Sequence, residues 1–144
     1  MKSLNQQTTK IFCKLMQKLD ENNYVKLRAD GFMPLVIEML EENIETLNGK
    51  AKCISIAHYY EQNGDLMSDP QMNFIVVDKR NEPNNFESIA IYPQSFRQDN
   101  LGVHEESIII INNKIASFNK YFQYAHCTFA VQWLRNISQQ GFLK

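Results

Sequence analysis

The chain has 144 residues, 44% of them hydrophobic and 22% charged, with a net charge of −1. These proportions exclude a disordered or low-complexity chain, and the length suits one domain, residues 1–144, with a buried core. The near-neutral charge supplies no long-range field to draw in nucleic acid or an anionic membrane.

Ile11, Phe12, Leu15, Met16 and Leu19 recur at helical spacing, with Thr8 or Thr9 available as an N-cap. Lys10, Lys14 and Lys18 lie one turn apart on another face, and the polar run 20–23 ends this helix. Residues 24–29 alternate polar and apolar, the period of a half-buried strand, before the turn signal Asp30-Gly31. Residues 33–47 fit two patterns. Val36, Leu40, Ile44 and Leu47 suit a helix starting at Pro34 and capped by Gly49, whereas Leu35-Val36-Ile37 followed by a polar run suits a strand and loop. The strand is preferred.

Residues 53–60, 72–77, 86–92 and 103–111 read as strands bounded by Asn, Gly, Pro or Asp clusters. A long helix is predicted over 117–137. Its apolar stripe is Phe118, Tyr121, Phe122, Ala125, Phe129 and Trp133, with Gly141 just past its end. Helix, run of strands, helix: this order predicts an α+β fold. The sheet should be a mainly antiparallel meander, flanked by an N-terminal helix and a long C-terminal helix.

Cys13, Cys53 and Cys127 are dispersed and form no C-x-x-C pair, so reduced, core-filling thiols and a cytoplasmic protein are expected. The chain begins polar through Lys10, unlike a secretory leader, and the longest aliphatic run, Ile108 to Ile111, is too short to span a bilayer. No membrane partner is expected.

The densest chemistry lies between Ile54 and Phe74. His58, Glu61, Asp65 and Asp69 could ligate a divalent cation, although their spacing matches neither the helical H-E-x-x-H pattern nor an EF-hand loop. The plainer reading is a solvated loop over 61–69, in which Asn63-Gly64 supplies positive φ and Asp69 caps the turn before Pro70. A tight Asn63-Gly64 hairpin would set Gln71 and Asn73 opposite Ile56 and Ile54 on the wrong faces, so a bulge or a wider loop is expected before Met72. No cofactor is expected.

Nucleophilic catalysis lacks a motif: there is no G-x-S-x-G, and no cysteine has an identifiable histidine partner. His126, beside Phe122 and Trp133, reads as a hydrogen-bonded structural histidine. The lysine row with Lys2 could meet phosphate, but it is better explained as a solvated helix face, so nucleic acid is a weak third reading. Tyr124 and Val131, one heptad apart off the main stripe, are either scattered surface residues or a homodimer contact.

The segment His58-Tyr59-Tyr60-Glu61-Gln62-Asn63-Gly64-Asp65-Leu66-Met67 with Asp69-Pro70, and later Gln98-Asp99-Asn100-Leu101-Gly102, resembles a bacterial domain family of unknown function. That family is found in proteins encoded on plasmids, phages and conjugative elements. Pro34-Leu35-Val36, Trp133-Leu134-Arg135-Asn136 and Gln140-Gly141-Phe142 also fit, so the likeness spans residues 24–143. It favours the strand reading of 33–40. It implies an accessory role in mobile-element biology and brings no activity, cofactor or catalytic residue.

Strand parity locates the patch where function is expected. In a meander, alternate connections emerge at one end of the sheet, so the loops 61–69 and 93–102 share a rim. The candidate binding patch is therefore His58, Tyr60, Glu61, Asn63, Asp65, Asp69, Arg97, Asp99 and His104. The mixture suits a cation, an Arg- or Lys-bearing protein partner, or an internal network in which Arg97 neutralises carboxylates. A non-catalytic interaction module that binds another protein is the leading expectation. A small metal-dependent hydrolase using residues 61–69 is the alternative.

Overall fold

The computed structural model describes residues 1–144. Helix α1 (Gln6–Met16) precedes eight strands, β1 (Tyr24–Leu27), β2 (Leu35–Thr46), β3 (Gly49–Gln62), β4 (Asp65–Asp78), β5 (Ile89–Gln98), β6 (Val103–Glu106), β7 (Ile108–Ile111) and β8 (Lys114–Phe118), and helix α2 (Lys120–Gln139) follows. The strands form one sheet in the order β6-β5-β4-β3-β2-β8-β7, with β1 paired to the start of β2. Every pairing is antiparallel except the single β2–β8 bridge at Glu45 and Lys114. The fold is α+β.

Helix α1 is capped by Asn5, whose Oδ1 accepts from Thr8 N at 2.9 Å, not by Thr8 or Thr9. Both threonines already lie inside the first turn and are buried. Residues 33–47 are strand, and β2 also takes in the polar run expected as a loop. It does so through register shifts after Met39 and Glu41, with Asn43 at φ 60°.

The predicted loop 61–69 is instead most of a hairpin. Only Asn63 (φ 54°) and Gly64 (φ 85°) form the turn, the positive-φ pair that matches strand twist. Gln62 pairs with Asp65 and Tyr59 with Ser68, then the register shifts so that Ile56 pairs with Met72 and Ile54 with Phe74. The shift is the expected bulge, and it places the apolar residues of both strands on one face. The tip looks loop-like in sequence because Glu61, Gln62 and Asp65 are exposed.

Two other boundaries are corrected. The predicted loop 93–102 is strand through Gln98, with Pro93 tolerated next to a β4–β5 register shift, and only the 3-10 turn Asp99–Leu101 remains. The predicted strand 103–111 is two strands. Ser107 interrupts it, its N donating to Gln94 O at 2.8 Å and its O accepting from Asn119 N at 2.7 Å. Its side chain is fully buried. The chain then forms the β7–β8 hairpin, turning on Asn112 and Asn113 at φ 52° and 60°.

One face of the sheet packs against both helices. Leu35, Ile37, Ile54, Ile56, Met72 and Phe74 meet Phe12, Leu15, Leu134 and Ile137. On the opposite face Ile44, Ala51, Cys53, Ile75 and Val77 cluster with Ile108, joined by Ile110 and Ile115 of the hairpin. Toward the β3–β4 turn that same face becomes polar: alternation along the strands puts Glu38, Ser55, Tyr59, Gln71, Asn73, Ser95 and Arg97 there.

Of the stripe predicted for α2, only Trp133 lies on its buried face. Gln123, His126, Cys127, Ala130, Trp133, Leu134 and Ile137 point inward, while Tyr121 is 80% exposed and Phe118 precedes the helix. Hydropathy misplaces the face because two polar residues occupy it. Gln123 clamps the Lys2 backbone, accepting from its N and donating to its O, each at 2.6 Å. Tyr124 is exposed beneath the Lys2 ammonium, whereas Val131 is half-buried against the main core. Asn119 caps the helix through Phe122 N, and Gly141 at φ 96° follows its end as expected.

Candidate functional site

The β3–β4 and β5–β6 connections lie at the same end of the sheet, because both join neighbouring antiparallel strands in the order β6-β5-β4-β3. This rim gathers some of the predicted patch and disperses the rest. Asp99 is its organiser: Oδ1 accepts from Arg97 Nε at 2.7 Å and Oδ2 from Ser68 N at 2.7 Å. The Arg97 bond first, and the Ser68 amide second, hold the Asp99 carboxyl below the usual carboxylate range. Gln98 Nε2 donates to Asp69 Oδ1 beside them. His104 pairs across the strands with Arg97 and is exposed.

Glu61, Asn63 and Asp65 project from the hairpin tip, are exposed, and engage no side-chain partner. Tyr60 is half-buried on the same hairpin. His58 belongs to the opposite face and the main core. Its ring packs on Trp133 and Phe142 with centroids 6.0 and 5.6 Å away, and Nδ1 lies 3.1 Å from Pro34 O. Burial pushes its pKa below the ordinary histidine value, so the neutral ring donates from Nδ1 to that carbonyl. The four metal candidates His58, Glu61, Asp65 and Asp69 therefore do not converge, and nowhere do three His, Cys, Asp or Glu side chains group to hold an ion.

From Asp99 a polar chain runs down the face turned away from the helices. Ser68 Oγ donates to Gln71 Oε1 at 3.0 Å, and Gln71 Nε2 donates to Ser55 Oγ at 3.3 Å. The next residue along, Asn73, pairs across the strands with Ser55, and its buried Oδ1 has no partner. Beside this chain Tyr59 is half-buried. Burial, then the Glu38 carboxylate, raises its phenol pKa. Tyr24, Glu38, Tyr59 and Tyr60 line an open cleft of about 390 Å³ there. The sequence reading missed Tyr24, Glu38, Ser55, Gln71 and Asn73. The available signal was alternation: Ser55 sits between Ile54 and Ile56, and Gln71 and Asn73 flank Met72, which marks a second, polar face.

A second cluster surrounds His126. Nδ1 lies 3.0 Å from Ser107 Oγ and Nε2 lies 2.9 Å from Glu105 Oε1, with the ring stacked between Phe96 and Phe122. The set resembles a Ser-His-acid triad in composition only. Ser107 is inaccessible, and its Oγ also lies 3.0 Å from Gln94 O, so it fastens the β6–β7 corner to α2. The cysteines offer no nucleophile either. All three are free and buried; burial pushes Cys53 up to about 11 and also raises Cys13 and Cys127.

No helix is long and apolar enough to cross a membrane. No curated protein and no solved structure matches the chain. A family model does match, over residues 7–143, which takes in all of α1 but its first residue, all eight strands, α2 and the whole rim. The chain belongs to that family, the domain of unknown function DUF6908.

Proposed function

We propose that this chain is a non-catalytic protein-interaction module, an accessory protein of a mobile genetic element working in the bacterial cytoplasm. The observation that carries this reading is the division of labour between the two sheet faces. Three groups suited to acid–base chemistry are bonded internally: His58 to Pro34, His126 to Glu105 and Ser107, Asp99 to Arg97 and Ser68. The face turned away from the helices instead presents Tyr24, Glu38 and Tyr59 around an open cleft, with Arg97 exposed on the same face. Tyrosine and arginine are the side chains that most often anchor protein interfaces.

The test is co-expression with the products of neighbouring genes, comparing the wild-type chain with a Tyr59→Ala, Arg97→Ala double variant. A partner held by the wild type and lost by the variant supports the reading; equal retention by both removes it. Metal analysis of the purified protein tests the hydrolase alternative, which requires a stoichiometric ion lost on Asp69→Asn. Retention on DNA or RNA at low ionic strength tests the nucleic-acid reading. Self-association through Tyr124 and Val131 is a separate proposal. Sedimentation over a range of concentrations decides it: a monomer throughout, or a dimer indifferent to Tyr124→Asp, ends it.

A further inference from the structure

At the other end of the sheet from the rim, strand β8 ends the support it receives from β2 almost as soon as it begins. The two share only the Glu45–Lys114 bridge. From Ile115 to Phe118, β8 is paired on one side alone, by β7. Its other edge borders a groove of about 690 Å³ whose walls include Met1, Leu47, Tyr92, Ile115 and Phe118 beside the polar Thr46, Asn48 and Ser117. Leu47 stands at the β2–β3 turn with its side chain wholly in solvent, at 105% relative exposure. Phe118 is 45% exposed. Two features thus coincide: a row of backbone donors and acceptors without a strand partner, and large apolar side chains with nothing over them.

We propose that this groove receives an extended peptide segment of a partner protein, added as a further strand on the open edge of β8. An extended backbone is the ligand that matches a strand edge, because it presents donors and acceptors at the same spacing. Alternate side chains of the incoming strand point into the groove, so the segment carries large apolar residues at every second position. The groove volume is of the size that holds a few such side chains. The Glu45–Lys114 ion pair, at 3.4 Å, closes the end where β2 and β8 meet and limits the added strand to the stretch beside Ile115–Phe118. A second copy pairing its own β8 edge is the competing occupant, and a concentration-dependent dimer would mark it. The site is distinct from the cleft at Tyr59, which lies toward the β3–β4 turn.

A displayed library of random ten-residue peptides, panned against the immobilised full chain with Leu47→Asp as counter-target, tests the proposal. Leu47 is fully exposed, so its replacement leaves the fold intact; Tyr59→Ala serves as a control at the other site. Selected peptides should alternate apolar and polar residues and bind Leu47→Asp at least about tenfold more weakly, with no loss on Tyr59→Ala. N-methylation of alternate amides should abolish binding, and the peptide should shift the amide resonances of residues 115–118. Four results would overturn it: no enrichment over the counter-target, a helical consensus, indifference to N-methylation, or a concentration-dependent dimer dissolved by Leu47→Asp.

Discussion

His126 Nε2 and Glu105 Oε1 stand 2.9 Å apart, joining the middle of α2 to the short edge strand β6. The imidazole is nearly inaccessible and its other nitrogen faces Ser107, so the contact holds together three segments that sequence separates. Replacing His126 by Ala leaves a cavity between Phe96 and Phe122 and removes one partner of the Ser107 hydroxyl, which keeps its bond to Gln94 O. Urea unfolding should show a loss of about 2–4 kcal/mol. Glu105→Gln keeps a hydrogen-bond acceptor and should cost only about 1 kcal/mol. Equal losses for the two variants would mean that the ring contributes nothing beyond its contact with Glu105.

His58 and Asp99, with Asp78 beside Arg80, carry lowered pKa values that make the fold acid-sensitive. His58 has a pKa below its ordinary 6.5, so the unfolded chain takes up a proton before the folded one does. Its contribution is complete above pH 6.5 and is lost as pH falls through the lower, folded value. An NMR titration of the His58 ring should find its midpoint below 6.5; a midpoint at or above that value contradicts the buried, neutral assignment.

Asp99 acts in the same sense at lower pH. Its carboxyl is held below 3.8, so its contribution is present above that value and fades as acid protonates the folded form. Asp99→Asn should therefore flatten the acid limb of the stability profile while leaving the His58 window unchanged. A variant whose acid limb superimposes on the wild type would show that Ser68 and Arg97 do not hold the carboxylate in solution.

Asn73 carries a buried carbonyl oxygen without a partner. Such an oxygen loses its bond to water and gains none, so Asn73→Val should stabilise the protein by about 1 kcal/mol. Chemical denaturation measures this directly. A destabilised variant would show that the amide makes contacts in solution that offset the stranded oxygen.

Gly64 tests the hairpin turn. Its φ is +85° and an added Cβ would meet nothing within 4 Å, so only backbone strain opposes a side chain. Gly64→Ala should cost about 1 kcal/mol, and Gly64→Asn, which tolerates left-handed backbone, clearly less. Equal cost for both would move the explanation from backbone to packing.

The parts of the fold legible in sequence are those where one period and one face suffice. Ile54 and Ile56 alternate against Met72 and Phe74, and reconciling their faces required the bulge that the hairpin contains. What sequence hid was buried polarity. Gln123 and His126 lie on the inner face of α2 because each bonds a distant segment, Lys2 in one case and β6 in the other, and hydropathy cannot anticipate partners so remote. Ser107 divides a run that looked like one strand for the same reason. At the rim, parity brought the two connections to one end, but which carboxylates meet depended on side-chain reach. Asp69 and Asp99 are bonded there by Gln98 and Arg97, while Asp65 extends beyond on the hairpin.

The clamp between Gln123 and the Lys2 backbone governs the order in which the chain can assemble. Lys2 leaves the ribosome 121 residues before its partner, and Cys127, which donates to Ser3 O at 3.3 Å, follows later still. The leading segment can dock on β5 through Leu4 N and Ile91 O, 2.9 Å apart, before the Lys2 clamp forms, but the main core closes only after α2 is released. Any change that delays or removes α2 leaves Leu4, Ile54 and Phe74 with an incomplete core around them, a state open to chaperones and proteases.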